Sequence, residues 1–164
     1  MSSRRASDAA GAGVWLVTHR SLVARSDTMA CMDLTDLAAL MTGGLDERMG
    51  MEVLEVSPER TRGRMPVAGN TQPFGLWHGG ASCVMAESLA SIAAASAVGR
   101  GGQAFGVDLN ATHHAPVRSG WVTGEARAIR IGGTLGTWEV VLTDDAGERV
   151  CTARVTCALK RPKP

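Results

Sequence analysis

Between His78 and Arg100 the chain reads HGGASCVMAESLASIAAASAVGR, and Glu87 is the one carboxylate in that stretch. Residues 79–98 are mostly Ala, Ser, Met and Leu, contain no proline, and stop at Gly99-Arg100-Gly101-Gly102. This composition predicts one helix over 79–98, of roughly five turns, ended by the glycine cluster. Side chains this small let a neighbouring sheet wrap closely around the helix. A carboxylate held in that setting loses solvation and its pKa rises, which suits a general base or a nucleophile. The plainer reading is a solvated Glu on a helix surface. A membrane span is a third reading, since about 18 apolar residues is the usual threshold. The small residues and the central Glu argue against it.

Trp77-His78-Gly79-Gly80 stands at the front of this helix. Glycines at a helix start leave backbone N–H groups open, and the positive end of the helix dipole favours an anion there. That is an oxyanion site in outline, with His78 either part of it or simply a polar residue at the helix start. Glu87 lies about two turns further on, ~12 Å along the axis, too far to serve the same atom within one chain. If the two act together, the Glu comes from a second subunit. Ser91 follows Glu87 by one turn on the same face and can hydrogen-bond a carboxylate or a water.

With 164 residues, 45% hydrophobic and 20% charged, the chain can bury a sizeable core as one globular domain. A net charge of +1 and 4% aromatic residues give no electrostatic footprint for nucleic acid. Cys31, Cys83, Cys151 and Cys157 show neither CxxC spacing nor paired His ligands. No metal site, cofactor or disulfide framework is predicted, and the setting that fits is reducing and cytoplasmic. His113 and His114 are adjacent on a predicted strand, so at most one of them faces a ligand.

Residues 1–30 read as an extension, disordered or not native to the protein, ahead of a single domain at 31–164. Arg4, Arg5, His19, Arg20 and Arg25 outnumber Asp8 and Asp27 there, and the apolar run Val14-Trp15-Leu16-Val17 is too short for a secretory signal. A short helix is predicted over 33–41 and strands over 51–56 and 61–67. After the long helix come strands over 105–112, where Phe105, Val107, Leu109 and Ala111 alternate with polar or small residues, and over 121–131, 138–142 and 150–159. A long helix followed by consecutive antiparallel strands, with strands ahead of it as well, describes an α+β domain whose sheet wraps the helix. No phosphate loop, Rossmann fingerprint or nucleophile elbow is present in the sequence.

The run Gln72-Pro73-Phe74-Gly75-Leu76-Trp77-His78-Gly79-Gly80-Ala81, with Ala86-Glu87-Ser88 and Ser91, resembles the hotdog-fold acyl-CoA thioesterases of the PaaI-like superfamily. It is most similar to the branch that holds 1,4-dihydroxy-2-naphthoyl-CoA hydrolase, the enterobactin proofreading thioesterase and the Arthrobacter-type 4-hydroxybenzoyl-CoA thioesterase. The resemblance runs from Leu34 to Leu159 and takes in the segment from Phe105 to His113 and Asp144-Asp145-Ala146-Gly147. It implies a hotdog fold, with the helix inside a curled antiparallel sheet. It also implies a homodimer joined edge to edge, with active sites at the dimer interface, and a dimer of such dimers.

Carried over by position, Glu87 is the nucleophile or general base and the Gly79 N–H polarises the thioester carbonyl. His78 assists binding or polarisation, Gln72 orients substrate or water, and Ser91 supports the water or Glu87. Phe74, Val84 and Met85 would meet the acyl group, although all three read equally as core, and Gly80 is a further substrate contact. Asn110, His113, Gly133 and Thr134 are the candidate coenzyme contacts, with Arg100, Lys160 and Arg161 as weaker ones. Some relatives carry Thr in place of Ser91, and Gly133 and Leu135 offer less to the coenzyme phosphates than the residues at those positions elsewhere in the family. A Glu rather than an Asp at position 87 favours the aryl-CoA side of the family.

The function implied is cofactor-free hydrolysis of an aromatic acyl-CoA, with 1,4-dihydroxy-2-naphthoyl-CoA of menaquinone biosynthesis as the first substrate to consider. A broad thioesterase for aryl-CoA or aryl-carrier-protein thioesters is the alternative within the class. A non-catalytic acyl-CoA-binding protein of the same fold is the alternative outside it. An anhydride intermediate and a base-activated water are both open.

Overall fold

The computed structural model describes residues 44–162. The extension at 1–30 and the helix expected over 33–41 lie outside the described residues. The elements, in chain order, are α1 (Leu45–Arg48), β1 (Glu52–Glu55), β2 (Arg60–Pro66), α2 (Gly79–Val98), β3 (Gln103–His113), β4 (Trp121–Ile131), β5 (Leu135–Thr143) and β6 (Arg149–Lys160). The strands form one antiparallel six-stranded sheet in the order β1-β2-β4-β5-β6-β3. β3 is an edge, paired to β6 on one side only.

The sheet curls around α2, and two glycines show how it closes. Gly63 of β2 and Gly124 of β4 are register partners. An ideal Cβ on Gly124 would stand 2.6 Å from a Leu89 methyl, and one on Gly63 would stand 3.0 Å from the other. Leu89 therefore occupies a notch that these glycines leave in the sheet, and it is fully buried with Met85, Met65, Leu142 and Trp138. α2 has buried residues around its circumference, so its hydropathy reflects enclosure by the sheet. It passes a length and hydropathy test for a membrane span, yet 67% of that window is buried inside the protein.

Both ends of α2 are tied. His78 caps the start, its Nδ1 accepting from the Gly80 N–H at 2.7 Å. At the far end Gly99 takes φ +71, and Arg161 donates to the carbonyls of Ala97 and Gly132. Arg161, read from the sequence as a weak coenzyme contact, thus closes the C-terminal end of the helix against the β4–β5 turn.

Two expectations are corrected. α1 was not foreseen, and β5 begins at Leu135 rather than 138 because its pairing with β4 continues to Ile131↔Gly136. The simple alternation read along β3 also fails, because the ladder shifts register between Gly106 and Asp108. A bulge inserts one residue and reverses the two-residue period. Phe105 and Val107 are 55% and 58% exposed as a result. Gly106 turns to the helix side, shared with Leu109, Ala111 and His113, which pair with the buried or helix-facing positions of β6.

Candidate active site

Glu87 lies at mid-helix but is exposed in the single chain, which corrects the desolvated setting expected for it. The reason is its direction: the side chain leaves the core beside β3, where no further strand covers the sheet. Its Oε1 stands 2.6 Å from the position a Cβ would take on Gly106, so the carboxylate rests directly on the strand backbone. Cys157 is the register partner of Gly106. Its thiol is buried, hydrogen-bonded with Ser91 and within electrostatic reach of Glu87. Burial is the main cause that pushes this thiol above its ordinary pKa; the Ser91 bond works the other way and the Glu87 charge adds to the rise. Glu87, Ser91, Gly106 and Cys157 thus form one cluster. The sequence supplied the first two; Gly106 and Cys157 come from strands far along the chain and carry no local signal.

A second cluster sits at the start of α2. Of its first N–H groups, Gly80 donates to His78 Nδ1, and Ala81 and Ser82 donate to the His78 carbonyl. The Gly79 N–H has no partner among the described residues. Above Gly79 lies the imidazole of His113, with Nε2 2.8 Å and Cδ2 3.2 Å from the position of a Gly79 Cβ. A cleft of about 280 Å³ opens here, lined by Gln72, Leu76, Gly79, His113 and Pro116 among others. The loop bearing Gln72 is braced by its own turn, with Gln72 N–H donating to Leu76 O and Gly75 N–H to Gln72 O. Asn70 secures the loop, its Nδ2 donating to the carbonyls of Met49 and Pro66 and its own carbonyl accepting from the His78 N–H.

The two neighbouring histidines divide as expected for a strand end. His113 turns towards Gly79, while His114 Nε2 lies 3.0 Å from Thr152 Oγ1. The ring of His78, taken up in capping, is exposed and does not line the cleft.

The remaining candidates are dispersed. Phe74 is 82% exposed in the single chain, Gly80 is exposed, and Val84 is half-buried on α2. Asn110 lies on the outer face of the sheet, in a separate groove of about 400 Å³ with Thr112, Glu139 and Arg154. Gly133 faces open space, and the Thr134 carbonyl accepts from the Leu159 N–H in the β4–β5 turn. That turn adjoins the C-terminal end of α2 through Arg161, at the opposite end of the helix from Gly79. Within one chain the Glu87 and Gly79 clusters stay apart, by ~12 Å along the helix and roughly 20 Å along β3. Among the described residues no group of three metal-ligating side chains occurs.

Residues 74–151 match the Thioesterase superfamily. Over 96 residues the chain is 48% identical to the proofreading thioesterase EntH of Klebsiella pneumoniae, covering 58% of this chain and 70% of that protein. Over 121 residues it is 38% identical to the 1,4-dihydroxy-2-naphthoyl-CoA hydrolase of Listeria monocytogenes, covering 73% of this chain and 98% of that one. A crystal structure of a thioesterase from Haemophilus influenzae shares the fold with a TM-score of 0.76 at 30% identity, over 81% of this chain and 94% of that chain.

Proposed function

The chain belongs to the thioesterase superfamily and is a hotdog-fold thioester hydrolase, and from that premise we propose that it hydrolyses aromatic acyl-CoA at a site shared by two subunits. The observation that carries this reading is the common edge. Glu87 rests on Gly106, and Gly79 lies against His113, at two points of the edge strand β3, whose outer side is open.

Antiparallel pairing of β3 with a second copy of itself about Asn110 would set Leu109 opposite Ala111. Allowing for the extra residue of the bulge, it would set Gly106 opposite His113 of the partner subunit. The carboxylate of one copy then meets the free N–H of the other. Closing this edge also desolvates Glu87, which the single chain leaves in water.

In such a site the thioester oxygen accepts a hydrogen bond from the Gly79 N–H, at the positive end of a 20-residue helix. Loss of one such donor costs roughly 3 kcal/mol in comparable acyl transfers. Glu87 then either attacks the carbonyl carbon, expelling the coenzyme thiolate and leaving an anhydride that water cleaves, or takes a proton from the water that attacks. Both routes consume one water and give the free acid and the thiol. Gln72 orients the acyl group or water, and Ser91 orients Glu87 or water. His78 acts by fixing the helix start, and so the direction of the Gly79 N–H.

Phe74 and Val84 supply apolar surface for an aromatic acyl group, and the β4–β5 turn at Gly133 and Thr134 is available to the coenzyme. The name of the Listeria relative supports an aromatic substrate, with 1,4-dihydroxy-2-naphthoyl-CoA first. A broader role on aryl-CoA or aryl-carrier-protein thioesters is the second reading, consistent with a relative that is named a proofreading thioesterase. The test is thiol release from 1,4-dihydroxy-2-naphthoyl-CoA, 4-hydroxybenzoyl-CoA, an aryl-carrier-protein thioester and a medium-chain acyl-CoA. Faster turnover of the aryl thioesters supports the reading; preference for the medium chain overturns it.

A further inference from the structure

We infer that His113 is a second hydrogen-bond donor to the substrate carbonyl oxygen, standing beside the Gly79 N–H, rather than a contact for the coenzyme. The inference rests on the thioester-hydrolase site described above.

Distance carries the first part of the argument. His113 Nε2 lies 2.8 Å from the ideal Cβ position of Gly79. Cβ and N of one residue are about 2.5 Å apart in ordinary backbone geometry, so Nε2 and the Gly79 nitrogen are separated by at most about 5.3 Å. One oxygen at about 2.9 Å from each donor spans up to about 5.8 Å. A single carbonyl oxygen can therefore accept from both. The same contact explains the residue type at position 79, because any side chain there would occupy the space of the imidazole.

Elimination carries the second part. Three imidazoles lie near this end of α2. His78 has Nδ1 engaged by the Gly80 N–H and its ring outside the cleft lining. His114 also borders the cleft, but its Nε2 is drawn away to Thr152 Oγ1 at 3.0 Å on the outer face. His113 alone of the three stands against Gly79, and it lines the cleft with Gln72. Its direction is set by the fold, because its register partner Cys151 is fully buried beneath the sheet. Downstream of the bulge, every second residue of β3 faces the helix, and His113 is the last of them. The proton remains on the imidazole throughout; the group acts by donation to charge that develops on oxygen.

The test is steady-state hydrolysis of 4-hydroxybenzoyl-CoA by wild type, His113→Ala, His113→Gln, Gly79→Ala and the double variant Gly79→Ala/His113→Ala, with free CoA as a product inhibitor. The expected result is a fall in kcat of about 10²-fold in His113→Ala. KM and the inhibition constant of CoA stay within a few-fold, and His113→Gln recovers part of the rate. Because the added methyl of Gly79→Ala acts by displacing the imidazole, it should cost markedly less in the His113→Ala background than alone. An unchanged kcat in His113→Ala, or a loss confined to KM and to CoA inhibition, overturns the inference. Absence of turnover by the wild type on every aryl thioester would instead overturn the hydrolase reading beneath it. Matching thermal midpoints for wild type and His113→Gln confirm that the comparison is between folded proteins.

Discussion

Gly106 and Glu87 fit against each other: an ideal Cβ on Gly106 would stand 2.6 Å from Glu87 Oε1 and 3.4 Å from its Cγ and Cδ. The catalytic candidate on α2 and the bulged edge strand therefore form one unit. The backbone of Gly106 does not take a positive φ, so Ala is conformationally acceptable there and its effect falls on the carboxylate. Gly106→Ala is expected to lower kcat by about 10²-fold through displacement of Glu87, with little change in thermal midpoint. Thiol release and a melting curve on the same preparation check both halves.

Glu87→Gln is expected to lower kcat about 10³-fold while leaving the fold and oligomeric state intact, since the side chain is exposed in the single chain and contributes little to the core. Thiol release beside gel filtration measures this. Equal rates in the two proteins would remove Glu87 from the chemistry.

Pairing of β3 about Asn110 predicts a specific cross-link. Asn110→Cys would face its own copy across the two-fold axis, at a spacing compatible with a disulfide. Thr112→Cys would face Asp108 of the partner subunit and form none. A covalent dimer of Asn110→Cys on a non-reducing gel after mild oxidation, absent from wild type and from Thr112→Cys, is the expected outcome. The reverse pattern would move the two-fold axis by two residues, to Thr112.

On the outer face, Glu125 accepts from Arg60 at 2.7 Å and 3.0 Å and also from Arg127, with Arg62 at 3.6 Å. Burial works to raise its pKa, but the hydrogen bonds from Arg60 and Arg127 outweigh it and hold the carboxyl below its ordinary value. A carboxyl with a lowered folded-state pKa adds stability at neutral pH that is lost as the pH falls through that value. Glu125→Gln should therefore cost up to about 1 kcal/mol near pH 7 at low salt. The gap should shrink in high salt and should be smaller in acid than at pH 7. Urea unfolding at the two pH values checks it, and a gap independent of pH would contradict the assignment.

The legible part of this protein was local. The small-residue run and its glycine stop marked α2 at its observed ends, Gly79–Val98, and alternation marked β4 over Trp121–Ile131. Gly79, Glu87 and Ser91 stood out because one helix carries all three, and the ~12 Å between the first two already pointed to a second subunit. Tertiary contacts remained hidden. The bulge at Val107 has no signature in an alternating segment, so the inward turn of Gly106 and the exposure of Phe105 could not be read. The seating of His113 on Gly79 joins residues 34 positions apart, and neither residue signals the other. The exposure of Glu87 depends on β3 being an edge, which is a property of strand order rather than of the residues around it.

The central claim is a site divided between two subunits, and mixed dimers test it most directly. Glu87→Gln and Gly79→Ala, each expected to be at least about 10²-fold impaired as a homodimer, are unfolded together and refolded as a mixture. In a heterodimer one site carries both lesions and the other carries neither. Random pairing therefore predicts return of roughly a quarter of the wild-type rate. A mixture no more active than its two parents, although gel filtration shows dimers, would mean that Glu87 and Gly79 act within a single chain or not together at all.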